Sequence, residues 1–151
     1  MKQSATQLKT SISPMMIVDA SAIIAIMFEE AEAPDCMMAL QRDAQRLISA
    51  VNYLEAGTVM AGRIKEGDRH EAIADLDEFL TEFRIEIASI DENLARAAMK
   101  ARVEYGKGFG TRGGLNFGDC FAYALAKRHS APLLYVGDDF ALIDVRSALT
   151  K

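Results

Sequence analysis

The chain reads as an α/β sandwich with a central, mostly parallel sheet of four to five strands between helical layers. Two observations predict it. Short apolar runs alternate with helical patterns along the chain, which is the order of parallel strands joined by crossover helices, and no apolar run reaches the ~18 residues of a membrane span. At 151 residues, half of them hydrophobic, the chain has the size and composition of one globular domain.

Residues 1–14 are polar and aperiodic and end in Pro14, so they read as a disordered extension outside the domain, which spans 15–151. The run 15–18 is the first strand, stopped by Asp19, and 20–28 follows as a mostly apolar helix. A second helical pattern covers 34–46, with Met37, Met38, Leu40 and Ala44 spaced along it. Residues 47–49 form a second strand, and Ser49 caps a helix over 50–64. After Gly67, residues 68–83 repeat Ile73, Leu76, Phe79, Leu80 and Phe83 among many acids, an amphipathic helix with a solvated face. A third strand is expected over 85–90, then Asp91 as the cap of a helix ending near Tyr105. Five glycines between 106 and 114 exclude a regular element and predict a loop or lid. Asn116 caps a helix to about His129, Pro132 opens a strand over 133–136, and 143–145 is expected as a last short strand.

Cys36 and Cys120 lie in helical contexts and read as buried free thiols, in keeping with a cytoplasmic protein. His70 and His129 sit among charged residues and read as solvated. The apolar faces at 37–40 and 60–64 read first as core and second as interface.

In parallel sheets the functional crevice lies beyond the carboxyl ends of the strands. Asp19 ends the first strand and Asp138 follows a late one. Asp119 is in the first turn of its helix, and Glu55 is in the second turn of the helix after Ser49. Each has a structural role open to it: Asp19 as a helix cap, Asn116 with Asp119 as a capping box, Asp138 as a turn residue, Glu55 as a solvated helix residue. Together, four carboxylates at one end of a sheet repel one another unless a positive charge lies between them. The donors are all oxygens, which suits Mg²⁺ or Mn²⁺ and not zinc. Such an ion suits metal-assisted hydrolysis of a phosphodiester.

The stretches Ile17-Val18-Asp19-Ala20-Ser21, Asn52-Tyr53-Leu54-Glu55-Ala56, Leu115-Asn116-Phe117-Gly118-Asp119-Cys120-Phe121-Ala122 and Leu133-Leu134-Tyr135-Val136-Gly137-Asp138-Asp139-Phe140 resemble PIN-domain ribonucleases of the VapC toxin type. The similarity runs from about Met16 to Val145. It implies a PIN-like three-layer α/β/α sandwich and a Mg²⁺- or Mn²⁺-dependent endoribonuclease acting as a toxin. It also implies a homodimer neutralised by a VapB-like antitoxin. Asp19, Glu55 and Asp119 match the family's first three acids and Asp138 best matches the fourth, with Asp139 beside it as the alternative. Ser21 matches a hydroxyl that supports the first acid, and Asn116 a polar residue that orders the third. A haloacid-dehalogenase-like phosphatase is a rival, but its second aspartate would fall at Ser21; a catalytically silent binding module is another.

The net charge of −5 excludes binding of nucleic acid by bulk field. By segment, however, 96–130 holds seven basic residues against two acids, and 66–92 holds two against ten. The basic stretch includes the glycine loop, where Lys107 and Arg112 are placed to hold RNA phosphates.

Overall fold

Alternation along β1 (Met15–Val18) sets the layers. Met16 and Val18 point into one core and Ile17 into another, as the two-residue period of a strand requires. The computed structural model describes residues 14–109 and 113–149, so the expectation for residues 1–13 and the side chain of Arg112 lie outside the described residues.

The elements run β1, α1 (Ala20–Met27), α2 (Ala33–Leu40), β2 (Gln45–Ser49), α3 (Ala50–Gly62), a 3₁₀ turn (Glu66–Asp68), α4 (Arg69–Glu82), β3 (Ile85–Ala88), α5 (Glu92–Tyr105), α6 (Phe117–His129) and β4 (Leu133–Leu134). The four strands form one sheet in the order β3-β2-β1-β4, every pairing parallel. Ile17 is in register with Leu47 on one side and Leu133 on the other. Apolar residues of α1 to α4 join Met16, Val18, Ile48, Ile85 and Leu134 in one core. Those of α5 and α6 join Ile17 and Leu133 in the second. The sandwich is therefore three-layered, as the alternation of strands and helices predicts.

Three expectations need correction. The helix expected over 34–46 stops at Leu40, because Gln45 and Arg46 pair with Met15 and Met16 and extend β2 backwards; backbone pairing beside the central strand overrides the helical spacing of the side chains. The strand expected over 133–136 ends at Leu134. No strand forms at 143–145. Instead Leu133 donates to Arg146 and accepts from Ala148, so the chain meets β4 at Ser147 as an isolated bridge.

Candidate metal and nuclease site

At the carboxyl edge of the sheet, Asp19 leaves β1 and caps α1. Its backbone N–H still donates to Leu134 at 2.9 Å, continuing the ladder, while its Oδ2 accepts from the Ser21 backbone at 3.0 Å and the Ser21 hydroxyl at 2.5 Å. That hydroxyl accepts from the Val136 N–H at 3.0 Å, which fastens the end of β4 to the start of α1. The other carboxylate oxygen, Oδ1, is buried with no hydrogen-bond partner in the protein. Burying an anionic oxygen without a partner is costly, so this atom marks a place for a ligand.

Glu55 arrives from α3. Ser49 caps that helix by accepting from Asn52 N–H at 3.0 Å, and its hydroxyl donates to Asn52 Oδ1 at 2.6 Å. Asn52 is fully buried. Its amide donates to Glu55 Oε1 at 3.3 Å and to the Gly118 carbonyl at 3.0 Å, so one side chain sets Glu55 and ties α3 to α6. Gly118 is required for this approach: a Cβ there would lie 2.4 Å from Glu55 Oε2.

Asp119 sits in the first turn of α6, inside a complete capping box. Asn116 Oδ1 accepts from Asp119 N–H at 2.9 Å, and Asp119 Oδ2 accepts from Asn116 N–H at 3.0 Å. Asp19 and Asp119 thus do fill cap roles, and both also face the crevice: Asp19 raises the proton affinity of Glu55 and of Asp119 through its charge.

Asp139 stands beside these three acids. Its charge acts on Asp19, Glu55 and Asp119, and it is in hydrogen-bond contact with Asp119. Asp138 enters none of these interactions. Asp138 and Asp139 are both exposed, and Asp138 begins the turn after Gly137, which takes φ +99°, with Ala141 N–H donating to the Asp138 carbonyl at 3.1 Å. Of the two adjacent acids the sequence offers, Asp139 is the one whose charge acts on the other three.

Electrostatics describe the cluster as short of positive charge. Burial, before all else, raises the carboxyls of Asp19, Glu55 and Asp119 above their ordinary range, and the neighbouring acids add to it. Asp119 is pushed up to about 8 although its bond from Asn116 works the other way. Among the described residues no three acids, histidines or cysteines stand in a geometry that would by itself hold a metal ion. An open arrangement suits a Mg²⁺-type ion that keeps several of its waters, and the orphaned Asp19 Oδ1, the mutually raised carboxyls and the all-oxygen donor set fit such an ion.

The basic segment is less free than its charge count implies. Arg128 makes two bonds, of 2.7 and 2.9 Å, to Asp91; Arg96 pairs with Glu92 at 3.1 Å and Lys127 with Asp144 at 3.0 Å. Lys107 is exposed. Both histidines are exposed and both cysteines are buried free thiols. Asn52 is the residue that sequence reasoning passed over; a polar residue three positions after a Ser cap was its signal.

A parallel α/β sandwich with this carboxylate edge defines a class of nuclease-like domains, and the chain belongs to the PIN domain family, whose model matches residues 16–146. More narrowly it belongs with the VapC ribonucleases. Ribonuclease VapC42 of Mycobacterium tuberculosis is 41% identical over 135 residues, 89% of this chain and all of that protein. Ribonuclease VapC of Mycolicibacterium smegmatis is 40% identical over 130 residues, covering 86% and 97%. Among solved structures, the chain resembles M. tuberculosis VapC20, a toxin that cleaves the sarcin-ricin loop, with a TM-score of 0.67 at 15% identity over 87% of this chain and 98% of that one. A toxin–antitoxin complex from Klebsiella pneumoniae gives a TM-score of 0.63 at 20% identity, covering 88% and 97%. The phosphatase reading has no support here.

Proposed function

We propose that this protein is the toxin of a toxin–antitoxin pair and acts as a Mg²⁺- or Mn²⁺-dependent endoribonuclease. The observation that carries the reading is the meeting of Asp19, Glu55, Asp119 and Asp139, from four separate segments, in a chain whose 40%-identical relatives are ribonucleases. Asp19 and Asp119 would hold the ion, with Glu55 and Asp139 completing the acidic wall. When bound, the ion supplies an acidified water and offsets charge on the scissile phosphate.

The chain's own residues do the rest. Ser21 occupies Asp19 Oδ2 and leaves Oδ1 to face the site. Asn116 holds Asp119 by one oxygen, and Asn52 orients Glu55 by one oxygen. Asp19 and Glu55 therefore each keep an oxygen that these bonds do not take, so little reorganisation is needed when substrate arrives. Lys107 and Arg112 are positioned in sequence to meet the RNA backbone.

We further propose a homodimer held in check by a VapB-like antitoxin, in the cytoplasm, where the buried thiols stay reduced. The relation to a solved toxin–antitoxin complex supports the antitoxin. No helix of the described residues is long and apolar enough to cross a membrane. The test incubates purified protein with single-stranded and structured RNAs in Mg²⁺, in EDTA, and as Asp119→Asn. Cleavage is expected only for the native protein with Mg²⁺; cleavage that survives both chelation and substitution would refute the mechanism.

A further inference from the structure

Beside the carboxylate edge, between α5 and α6, lies a cavity of about 220 Å³ whose walls include Met99, Arg102, Phe109, Phe117 and Phe121. Phe117 is 67% exposed and Phe109 47%, large rings left in water. Phe117 stands between the cap Asn116 and Gly118, where a Cβ would meet Glu55, and Asp119 is two residues on. Its ring meets that of Phe121 in a tilted contact, 5.4 Å between centres at 54°, so the two are not stacked face to face. Positive charge borders the rings. The Arg102 guanidinium sits 5.4 Å from the Phe109 ring centre and is anchored by a 3.1 Å bond to the Leu115 carbonyl.

We infer that Phe117, with Phe109 and Phe121 beside it, is a stacking platform for one unpaired nucleobase next to the scissile phosphate. The inference rests on the ribonuclease reading and extends it to a residue that positions substrate. Exposed aromatic rings with neighbouring cations are the means by which proteins hold single-stranded nucleic acid, the rings taking bases and the cations phosphates. Size points the same way. The cavity is smaller than the ~300–1,000 Å³ of drug-sized ligand sites, which suits one flat ring system. Continuity with the acids completes the case: the first turn of α6 carries both Phe117 and Asp119, on different faces of the turn but ~3 Å apart along the helix axis, a separation that one nucleotide spans.

The protein contains no tryptophan, so Phe117→Trp introduces a single fluorescent reporter at an exposed position. It is titrated, in Mg²⁺ and in the Asp119→Asn background expected not to cleave, with RNA oligonucleotides and with an abasic sugar-phosphate oligomer of equal length. Saturable quenching by the base-bearing oligomers and none by the abasic one is expected. In cleavage assays Phe117→Leu is expected to raise KM about 5- to 150-fold, and Phe117→Tyr to restore it. Equal quenching by the abasic oligomer, or an unchanged KM in Phe117→Leu, overturns the platform. So does a shift from dimer to monomer on sedimentation of Phe117→Leu with cleavage per folded chain unchanged, which would make the face a protein interface. If native protein cleaves RNA but quenching ignores the bases, only this inference falls; if it cleaves no RNA, the ribonuclease reading falls with it.

Discussion

Gly118 has no side chain because Glu55 occupies the space where one would stand, 2.4 Å from the Cβ position. The obstructing group is the far end of a flexible side chain, so Gly118→Ala can be accommodated by swinging the Glu55 carboxylate away. Alanine is also favoured over glycine in a helix by about 1 kcal/mol. Gly118→Ala is therefore expected to keep or raise the melting temperature while lowering RNA cleavage by at least tenfold, measured by calorimetry and by single-turnover rates. Parallel losses of stability and activity would mean that the glycine serves packing alone. At this scale Asp19, Glu55 and Asp119 were legible in the sequence, since each follows a strand or opens a helix. The fourth acid was not: Gly-Asp-Asp offers two adjacent carboxylates, and the turn after Gly137 decides which one meets the others.

Three helices begin at the crevice, α1 behind Asp19, α3 behind Ser49 and α6 behind Asn116. Their N-terminal ends favour negative charge, which partly offsets the mutual repulsion of the acids. The alignment of α3 with α6 depends on Asn52, which bonds Ser49, Glu55 and the Gly118 carbonyl from a fully buried position. Asn52→Ala leaves those polar groups unsatisfied and is expected to cost about 1–3 kcal/mol, read as a lower midpoint in urea with an unchanged slope. An unaltered midpoint would show that water replaces the amide without loss. Element order and caps followed from the sequence because Ser49, Asp91 and Asn116 are strong cap residues placed before apolar periods. Boundaries that depend on pairing did not. Gln45 and Arg46 carry no strand pattern, and only register with β1 draws them into β2. The 3₁₀ turn at Glu66–Asp68 likewise replaces the plain break expected at Gly67.

Over the whole molecule, charge is segregated, and the acid cluster makes stability depend on pH in a direction that can be worked out. A carboxyl whose proton is held more tightly in the folded chain than in the unfolded one loses stability as pH rises between the two values. For Asp119 that window runs from 3.8 to about 8, with Asp19 and Glu55 shifted in the same direction. Asp91 works oppositely: Arg128 holds its carboxyl down to about 2, so its contribution is present above its ordinary value of 3.8 and lost as pH falls toward 2. Without divalent ions the melting temperature is expected to fall as pH rises from about 5 to 8, less steeply in Asp119→Asn, and Mg²⁺ to restore most at pH 8. A melting temperature that rises over this range would contradict the cluster's electrostatics. The segment charges that suggested an RNA-facing surface were read correctly as numbers, but Arg96 pairs with Glu92 within α5, Lys127 with Asp144 of the C-terminal segment, and Arg128 with Asp91, a pairing that depends on how α5 and α6 lie together.

The central claim is that four acids from distant parts of the chain form one divalent-cation site. Mn²⁺ binding, followed by electron paramagnetic resonance, tests it without requiring a known RNA. Asp19→Asn, Glu55→Gln, Asp119→Asn and Asp139→Asn are each expected to weaken binding by about 10- to 100-fold, while Asp138→Asn leaves it within twofold of the native protein. Native affinity in Asp19→Asn or Asp119→Asn, or a loss in Asp138→Asn equal to that in Asp139→Asn, would contradict the account.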